Sequence, residues 1–231
     1  MGPLKDHKEW LVTDSKEQAN ILNRWYCSVF AREDTSHEPD ALDVYEGNDI
    51  MEEVVITRDK VRKNLLNFKP KSAPGPDKIS QAVLNSIADV LYVPLTSIFN
   101  KCQAEGVVHG DWKLVNVTPI FKKGSKSAPG KYRPVSLTCI IFKVIESLIK
   151  DAIVEHLARN SLIRSSQHGF KAGRSCLTNL LEYMEELTRL VEEGHSVDMF
   201  YLNFSKAFDL VPHKRLLVKL RSMGIQGKVA K

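Results

Sequence analysis

The feature that most constrains the fold of this chain is an apolar segment near its end. Residues 197–204 read Val-Asp-Met-Phe-Tyr-Leu-Asn-Phe, with only two polar side chains. Such runs are typical of a β-strand that is buried on both faces, whereas half-exposed strands alternate between apolar and polar residues. Such a strand needs neighbours, because an apolar strand with an uncovered edge and face promotes aggregation or demands a partner.

Helical periodicity dominates most of the remaining sequence. Apolar residues recur at helical spacing in five segments before the strand and in one after it. Within the third of these segments, Pro94 is expected to break or kink the helix, because proline removes a backbone donor and clashes with the preceding turn. We expect helices over 15–30, 57–68, 80–105, 138–159, 175–193 and 212–223.

Four of these helices begin near a residue that commonly caps helices. Ser15 and Gln18 have the spacing of a capping box, and Thr57 precedes the second helix. Thr138 and Asp209 are expected to cap the fourth and sixth helices by accepting a hydrogen bond from a free backbone N–H.

Extended and irregular segments separate the helices. Residues 115–121 alternate as a strand does, a basic turn follows over 122–126, and residues 132–137 form a short extended piece. Residues 69–77 hold three prolines and one glycine, which predicts a stiff loop, and residues 33–49 form an acidic linker. Helices with few strands place the chain in the α+β class.

Charge is distributed unevenly along the chain, which has a net charge of +5. Residues 1–50 hold five Lys or Arg against eleven Asp or Glu, whereas residues 101–150 hold nine against three. Residues 201–231 hold seven against one. Two basic segments favour a surface for a polyanion such as nucleic acid, and the alternative is solvated lysines on exposed helix faces.

The cysteines and the apolar runs exclude several classes of protein. Cys27, Cys102, Cys139 and Cys176 are far apart and form no Cys-x-x-Cys pair, which favours reduced thiols over a zinc site or disulfides. No apolar run reaches the roughly 18 residues of a transmembrane helix, so we expect no membrane partner. The start of the chain does not resemble a signal peptide, and we expect an intracellular protein, either nuclear or cytoplasmic.

Five segments, in their order along the chain, resemble motifs of a reverse transcriptase of the non-LTR retrotransposon kind, as in LINE or jockey-like elements. The last segment, Tyr-Leu-Asn-Phe-Ser-Lys-Ala-Phe-Asp, is similar to a palm motif that reads Tyr-Leu-Asp-Phe-Ser-Lys-Ala-Phe-Asp in the family. The first 30 residues resemble the leader that precedes the family's polymerase domain. The five segments are 71–77, 119–124, 132–137, 167–175 and 201–209.

The resemblance implies an RNA-directed DNA polymerase, which is a nucleotidyltransferase, with a right-hand fold. By this comparison, residues 1–50 are the helical leader and acidic linker, and residues 57–195 are the helical fingers. Residues 196–231 would be the first palm strand and helix. The sequence ends before the rest of the palm and the thumb, so we expect a truncated, partial right-hand polymerase.

Polymerase chemistry in this family needs carboxylates that this chain lacks. Two Mg²⁺ ions about 3.5–4 Å apart assist the transfer, and Mg²⁺ prefers anionic oxygen ligands. The family's palm Asp corresponds to Asn203, whose amide is neutral, and the sequence has no Asp-Asp pair. We therefore expect no bound Mg²⁺ and no polymerisation by this chain alone. Asn203 is otherwise a polar residue at a strand end, and Asp209 is interpreted as a helix cap, not as a substitute ligand.

The resemblance also assigns residues that hold the incoming nucleotide. Lys122 and Arg133 match fingers residues that bind the triphosphate, a role that suits a lysine point charge and a forked guanidinium. Phe208 matches the bulky residue beneath the sugar, which excludes a 2′-hydroxyl. Apart from the resemblance, Lys122 and Arg133 are surface charges and Phe208 is a core residue.

A further group of residues is expected to contact the nucleic acid itself. The lysines of the basic turn would contact a phosphate backbone, and glycine in the following motif would permit close backbone approach. The aromatic residue of that motif would either stack on a base or pack in the core. These residues are Lys123, Lys126, Gln167, Gly169, Phe170 and Arg174. The histidines, including His168, show no metal-ligand spacing and are expected to be surface or hydrogen-bonded residues.

Three hypotheses therefore stand. The chain is an inactive reverse transcriptase domain, a non-catalytic module that binds RNA or an RNA–DNA hybrid, or a translated retroelement relic without a selected role. In none of them is a small molecule other than a nucleotide expected as substrate.

Overall fold

The computed structural model describes residues 1–30, 47, 49–68 and 73–230. In these residues the helices far outnumber the strands, and the α+β class is confirmed. The helices are α1 (Ser15–Val29), α2 (Arg58–Asn67), α3 (Gln81–Ser86), α4 (Ala88–Glu105), α5 (Ile140–Arg159), α6 (Cys176–Glu192) and α7 (His213–Arg221). The strands are β1 (Leu4–Lys5), β2 (Leu11–Val12), β3 (Asn116–Phe121) and β4 (Tyr132–Leu137).

The core lies where α2, α4 and α5 pack together. Their apolar stripes, which the periodicity predicts, bury residues from all three helices, and removal of this surface from water is the main force that holds them. Phe99 is fully buried and meets Trp112 edge to face, with ring centroids 5.8 Å apart. The buried apolar residues of these helices are Val61, Leu65, Ala88, Leu95, Phe99, Ile140, Val144, Ile145 and Leu148.

The break in the third helical segment differs from the prediction. The segment divides at Ile87, which has φ −109° and ψ 11°, and α4 then continues through Pro94. Pro94 is the seventh residue of α4, where the missing donor interrupts one hydrogen bond without ending the helix. The buried residues Leu95 and Phe99 follow it in the same helix, so packing maintains the helical path.

Helix α1 is capped one residue earlier than the sequence predicts. The carboxylate of Asp14 accepts a hydrogen bond from the Glu17 backbone N–H at 2.9 Å, and Ser15 is already helical. A carboxylate accepts a stronger hydrogen bond from the backbone than a hydroxyl does, which explains why Asp14 and not Ser15 caps the helix. The cap by Thr57 is confirmed, since its hydroxyl accepts from the Lys60 N–H at 3.3 Å.

The predicted caps of α5 and α7 are wrong. Helix α5 starts after Cys139 with no side-chain cap, and Thr138 lies outside it. Cys139 is placed by tight packing on Gly75, where an added Cβ would lie 2.4 Å from the Cys139 nitrogen. Helix α7 starts at His213, so Asp209 lies in the preceding turn, four residues before the start of the helix.

The two strands of the central hairpin, β3 and β4, pair antiparallel along their full length. The register runs from Asn116 opposite Leu137 to Phe121 opposite Tyr132. The Lys122 N–H donates to the Lys131 carbonyl at 2.9 Å and extends the pairing into the turn. The leader contacts this turn through the Lys5 N–H, which donates to the Ser127 carbonyl at 2.8 Å.

The buried strand expected over 197–204 is not formed. Residues 197–204 have no regular structure, and Phe200 and Leu202 are 86% and 82% exposed. A strand needs a neighbour for its N–H and C=O groups, and no strand in the described part of the chain pairs with this segment. The apolar face of α6 is exposed in the same region, with Leu177 at 63% and Leu181 at 59%.

Two predicted segments lie partly or largely outside the described residues. The acidic linker over 33–49 is described only at Gly47 and Asp49, and the first four residues of the proline loop, 69–72, are not described. None of the described helices is both long enough and apolar enough to cross a membrane.

Candidate nucleic-acid interface

The turn between β3 and β4, residues 122–131, carries unneutralised positive charge, and we call it the basic turn. Lys122, Lys123 and Lys126 are exposed, as is Arg133 just beyond it on β4. None of the ion pairs formed within the described ranges includes these four residues. Cations without acidic partners attract polyanions, so the basic turn has the electrostatics of a phosphate-binding surface.

The backbone of the basic turn is fixed from both sides. The Tyr132 hydroxyl donates to the Lys126 carbonyl at 2.7 Å, which ties the middle of the turn to the first residue of β4. The Lys126 ammonium lies 5.8 Å from the centre of the Phe121 ring. A short 3-10 helix at Pro129–Lys131 closes the turn. These contacts hold the lysines at defined places on the surface.

Trp25 on α1 lies between the basic turn and the segment that resembles the palm motif. A Cβ built on Gly130 would lie 2.6 Å from Trp25 Cζ2, so the ring could not keep this position over a larger residue. The Lys206 ammonium lies 5.1 Å from the Trp25 ring centre, within the range of a cation–π contact. Beside Trp25, a cavity of about 440 Å³ opens between the leader and the turn, lined by Lys5, Arg24, Ala128 and Pro129 among others.

Phe170 and Phe208 meet although 38 residues separate them in sequence. Their rings are perpendicular, with centroids 5.9 Å apart, and the two residues are 95% and 78% exposed. The interpretation of either residue as core is therefore wrong. Exposed aromatic side chains are the type on which nucleic-acid-binding proteins stack bases. We call this contact the aromatic pair.

The loop that carries Phe170 is attached to α6 through His168. His168 is only 7% exposed, and its Nδ1 and Nε2 lie 2.9 Å from Thr178 Oγ1 and 2.9 Å from Glu182 Oε2. The sequence predicted that His168 is either a surface residue or a hydrogen-bonded one. The second alternative is confirmed, because the side chain is buried and both ring nitrogens have partners.

The other predicted residues of this loop serve largely internal contacts. The Gln167 amide donates to the Gly169 carbonyl at 2.9 Å. Arg174 Nη1 donates to Glu182 Oε2 at 3.4 Å, so its charge is partly neutralised. A Cβ on Gly169 would meet only the Gln167 side chain, at 3.9 Å, so space near the backbone is open. Arg174 is therefore a weaker candidate for phosphate contact than the basic turn.

Asn203 lies exposed in the irregular segment that precedes Phe208. Among the described residues, no three His, Cys, Asp or Glu side chains lie close enough together to hold a metal ion. The amide of Asn203 is neutral, and Asp209 is the nearest acidic residue after it in sequence. The residues present do not fit the Mg²⁺ site that the resemblance implies, because Mg²⁺ favours several anionic oxygens.

One segment, 203–209, contacts the loop residue Phe170 directly and approaches the basic turn only through Trp25. Lys206 reaches Trp25 beside the basic turn, and Phe208 reaches Phe170. Sequence reasoning missed Trp25, Lys206 and His168 as parts of this arrangement. Trp25 fits the apolar stripe of α1, so periodicity alone assigned it to packing, and no pattern indicated that His168 would be buried.

The comparisons with known proteins point to one family. Residues 120–231 match the family described as "Reverse transcriptase (RNA-dependent DNA polymerase)". The matched range includes the basic turn, Arg133 and the aromatic pair. The resemblance that the five motifs indicate is thereby confirmed.

Individual relatives support the same assignment. The chain is 30% identical over 163 residues to a "Probable RNA-directed DNA polymerase from transposon X-element" of Drosophila melanogaster, covering 70% of this chain and 18% of that protein. It is 26% identical over 169 residues to an "RNA-directed DNA polymerase from mobile element jockey" of Drosophila funebris, covering 73% and 18%. It is 24% identical over 171 residues to a "Retrovirus-related Pol polyprotein from type-1 retrotransposable element R2" of Popillia japonica, covering 74% and 22%. The chain spans about a fifth of the length of these relatives.

Proposed function

This chain contains reverse transcriptase domain sequence of the non-LTR retrotransposon type, and on that premise we propose that it binds single-stranded RNA or an RNA–DNA hybrid without polymerising on its own. In this proposal residues 57–195 act as the fingers and residues 196–231 as the start of the palm. The basic turn contacts the phosphate backbone, and the aromatic pair contacts the bases.

The observation that carries the proposal is the aromatic pair. A soluble domain gains by burying phenylalanine, yet Phe170 and Phe208 are both largely exposed and lie in contact. They come from two segments that the motifs independently assign to the template side and to the nucleotide. An exposed pair of rings offers stacking to any base, since every base has a π-face.

Electrostatics supports the same partner. The unpaired cations of the basic turn favour the phosphate backbone, and their binding would release counterions, so affinity would fall as salt rises. Lys122 and Arg133 are suited to a triphosphate as well as to a backbone phosphate. A nucleotide is thus a second ligand for the same surface.

The absence of polymerisation follows from Asn203. A neutral amide in place of the family's Asp removes an anionic ligand from the position where two Mg²⁺ ions would be shared. The sequence also contains no Asp-Asp pair to supply the second carboxylate motif. We therefore propose no Mg²⁺-dependent polymerisation by this chain.

The experiment is a fluorescence anisotropy titration of the full chain against labelled single-stranded RNA, an RNA–DNA hybrid and duplex DNA. The test variant is the double charge reversal Lys122→Glu and Lys123→Glu. The matched control is Lys63→Glu with Lys101→Glu, which changes the net charge equally at exposed positions on α2 and α4.

The proposal expects the test variant to lose most of its RNA affinity and the control to lose much less. Equal losses would mean that only net charge matters, and the assignment of the basic turn would then be wrong. No binding of the unaltered chain to any of the three nucleic acids would overturn the proposed function.

A further inference from the structure

His168 is a buried polar side chain beside the most exposed aromatic residue of the interface. It is 7% exposed, whereas Phe170, two residues later, is 95% exposed. Both ring nitrogens of His168 have partners on α6, namely Thr178 Oγ1 and Glu182 Oε2, each at 2.9 Å. Since a carboxylate only accepts, Nε2 donates its proton to Glu182.

The backbone at Phe170 has an unusual conformation. Its φ is +60°, a left-handed value that aromatic residues rarely adopt. Such a conformation persists only where the surrounding structure enforces it. Phe170 itself is nearly fully exposed and contributes little burial, so the constraint must come from its neighbours in the loop.

The partners of His168 are themselves well fixed. Thr178 and Ser175 form the capping box at the start of α6, with the Ser175 N–H donating to Thr178 Oγ1 at 2.8 Å and the Thr178 N–H donating to Ser175 Oγ at 3.2 Å. The two reciprocal hydrogen bonds of a capping box fix the start of the helix. His168 therefore connects the loop to a fixed point.

We propose that His168 is a positioning residue that holds Phe170 against Phe208 for base stacking; this rests on the proposed function. The two hydrogen bonds fix the loop on α6, and this anchor maintains the left-handed turn at Phe170. The ring is then presented to Phe208 at 5.9 Å before any nucleic acid binds. Such preorganisation reduces the entropy lost on binding.

The first experiment measures base stacking. A single-stranded RNA containing 2-aminopurine is titrated with the unaltered chain, His168→Gln, Phe170→Ala and the double variant. His195→Gln is the matched control, because the His195 side chain is 62% exposed. Phe170→Ala is expected to lower affinity and quenching on the order of fivefold. His168→Gln is expected to lower both several-fold, and the double variant no further than Phe170→Ala, because the two residues act as one unit.

The second experiment does not depend on nucleic acid. Chymotrypsin cleavage after Phe170 is compared with cleavage after Phe200, which is 86% exposed in an irregular segment. His168→Gln is expected to accelerate cleavage after Phe170 and to leave Phe200 unchanged. Glu182→Ala removes one partner at a half-exposed site and should have the same selective effect, so it replaces His168→Gln if that variant does not fold.

The outcomes separate the two proposals. If the unaltered chain binds no RNA but cleavage changes selectively, the proposed function fails while His168 still holds the loop. If RNA binds and the losses from His168→Gln and Phe170→Ala multiply in the double variant, His168 acts on overall stability and the positioning role is refuted. Unchanged cleavage after Phe170 in both anchor variants would also refute it.

Discussion

Trp25 lies directly over Gly130, so close that a Cβ on Gly130 would come within 2.6 Å of Trp25 Cζ2. The leader helix thus rests on the basic turn at a position where any side chain larger than glycine would have to displace the Trp25 ring. Through the same ring, Trp25 also meets Lys206 of the segment that carries Phe208. One side chain of the leader therefore touches both halves of the interface.

Gly130→Ala is expected to separate α1 from the basic turn. The added methyl group must displace the Trp25 ring, and overpacking of this kind destabilises by about 1–3 kcal/mol. Chemical denaturation measures the loss in free energy of unfolding. Gly110→Ala is the control, since a Cβ there meets nothing within 4 Å. An equal effect of the two variants would contradict the contact.

Asp49 gives the fold a predictable pH dependence. A hydrogen bond from the Asn160 amide, together with Arg159 and His156, holds the pKa of Asp49 below its ordinary value of 3.8. Because the folded-state pKa is lowered, this carboxylate stabilises the fold above pH 3.8, and the contribution is lost as pH falls further toward the folded pKa.

Asp49→Asn should therefore remove part of the acid sensitivity. The difference in melting temperature between the unaltered chain and the variant is expected to be largest near neutral pH and to shrink below about pH 4. Thermal unfolding from pH 7 to pH 3 measures it. A difference that grows on acidification would show that Asp49 is not stabilised as its ionised form.

Core and exposed apolar residues should respond very differently to truncation. Phe99 is fully buried, so Phe99→Ala is expected to destabilise by about 3–5 kcal/mol. Leu202 is 82% exposed, so Leu202→Ala is expected to change stability by no more than about 0.5 kcal/mol. Equilibrium denaturation compares the two. A large loss from Leu202→Ala would show that residues 197–204 are packed as the sequence pattern suggests.

Asn203→Asp should not produce a polymerase from this chain. The change supplies one carboxylate, but the two-metal arrangement needs further anionic ligands, and the sequence contains no Asp-Asp pair. Primer extension on an RNA template with Mg²⁺ measures the outcome, with an active reverse transcriptase as positive control. Extension by the Asn203→Asp chain would contradict our account of what is missing.

The sequence predicted the helices well because their apolar stripes are local patterns that tertiary packing reinforces. The stripes of α2 and α5 place Val61, Leu65, Val144 and Leu148 in the core, as expected. The extended segments 115–121 and 132–137 were also predicted from the sequence, but their pairing as a hairpin was not.

The predictions that failed depend on partners distant in sequence. A strand at 197–204 requires a neighbouring strand, and its composition alone cannot supply one. The start of α5 is set by packing of Cys139 on Gly75, which overrides the local preference for Thr138. The caps at Ser15 and Asp209 were misplaced because several polar residues compete near each helix start.

The candidate site was predictable in part. The motifs identified Lys122, Arg133, Phe170 and Phe208, but not that the two rings would meet. The contact depends on a left-handed backbone at Phe170 and on the anchor at His168, neither of which leaves a pattern in a single sequence. Trp25 was assigned to packing because its helical spacing is indistinguishable from that of a core residue.

The measurement that tests the central claim most directly is the salt dependence of RNA binding by the full chain. We expect a linear fall of log affinity with log salt, with a slope of about 0.7 for each phosphate contacted in a single strand. Lys122→Glu with Lys123→Glu should flatten that slope, while Lys63→Glu with Lys101→Glu should leave it close to that of the unaltered chain. A slope near zero, or one that the basic-turn variant does not alter, would contradict the account.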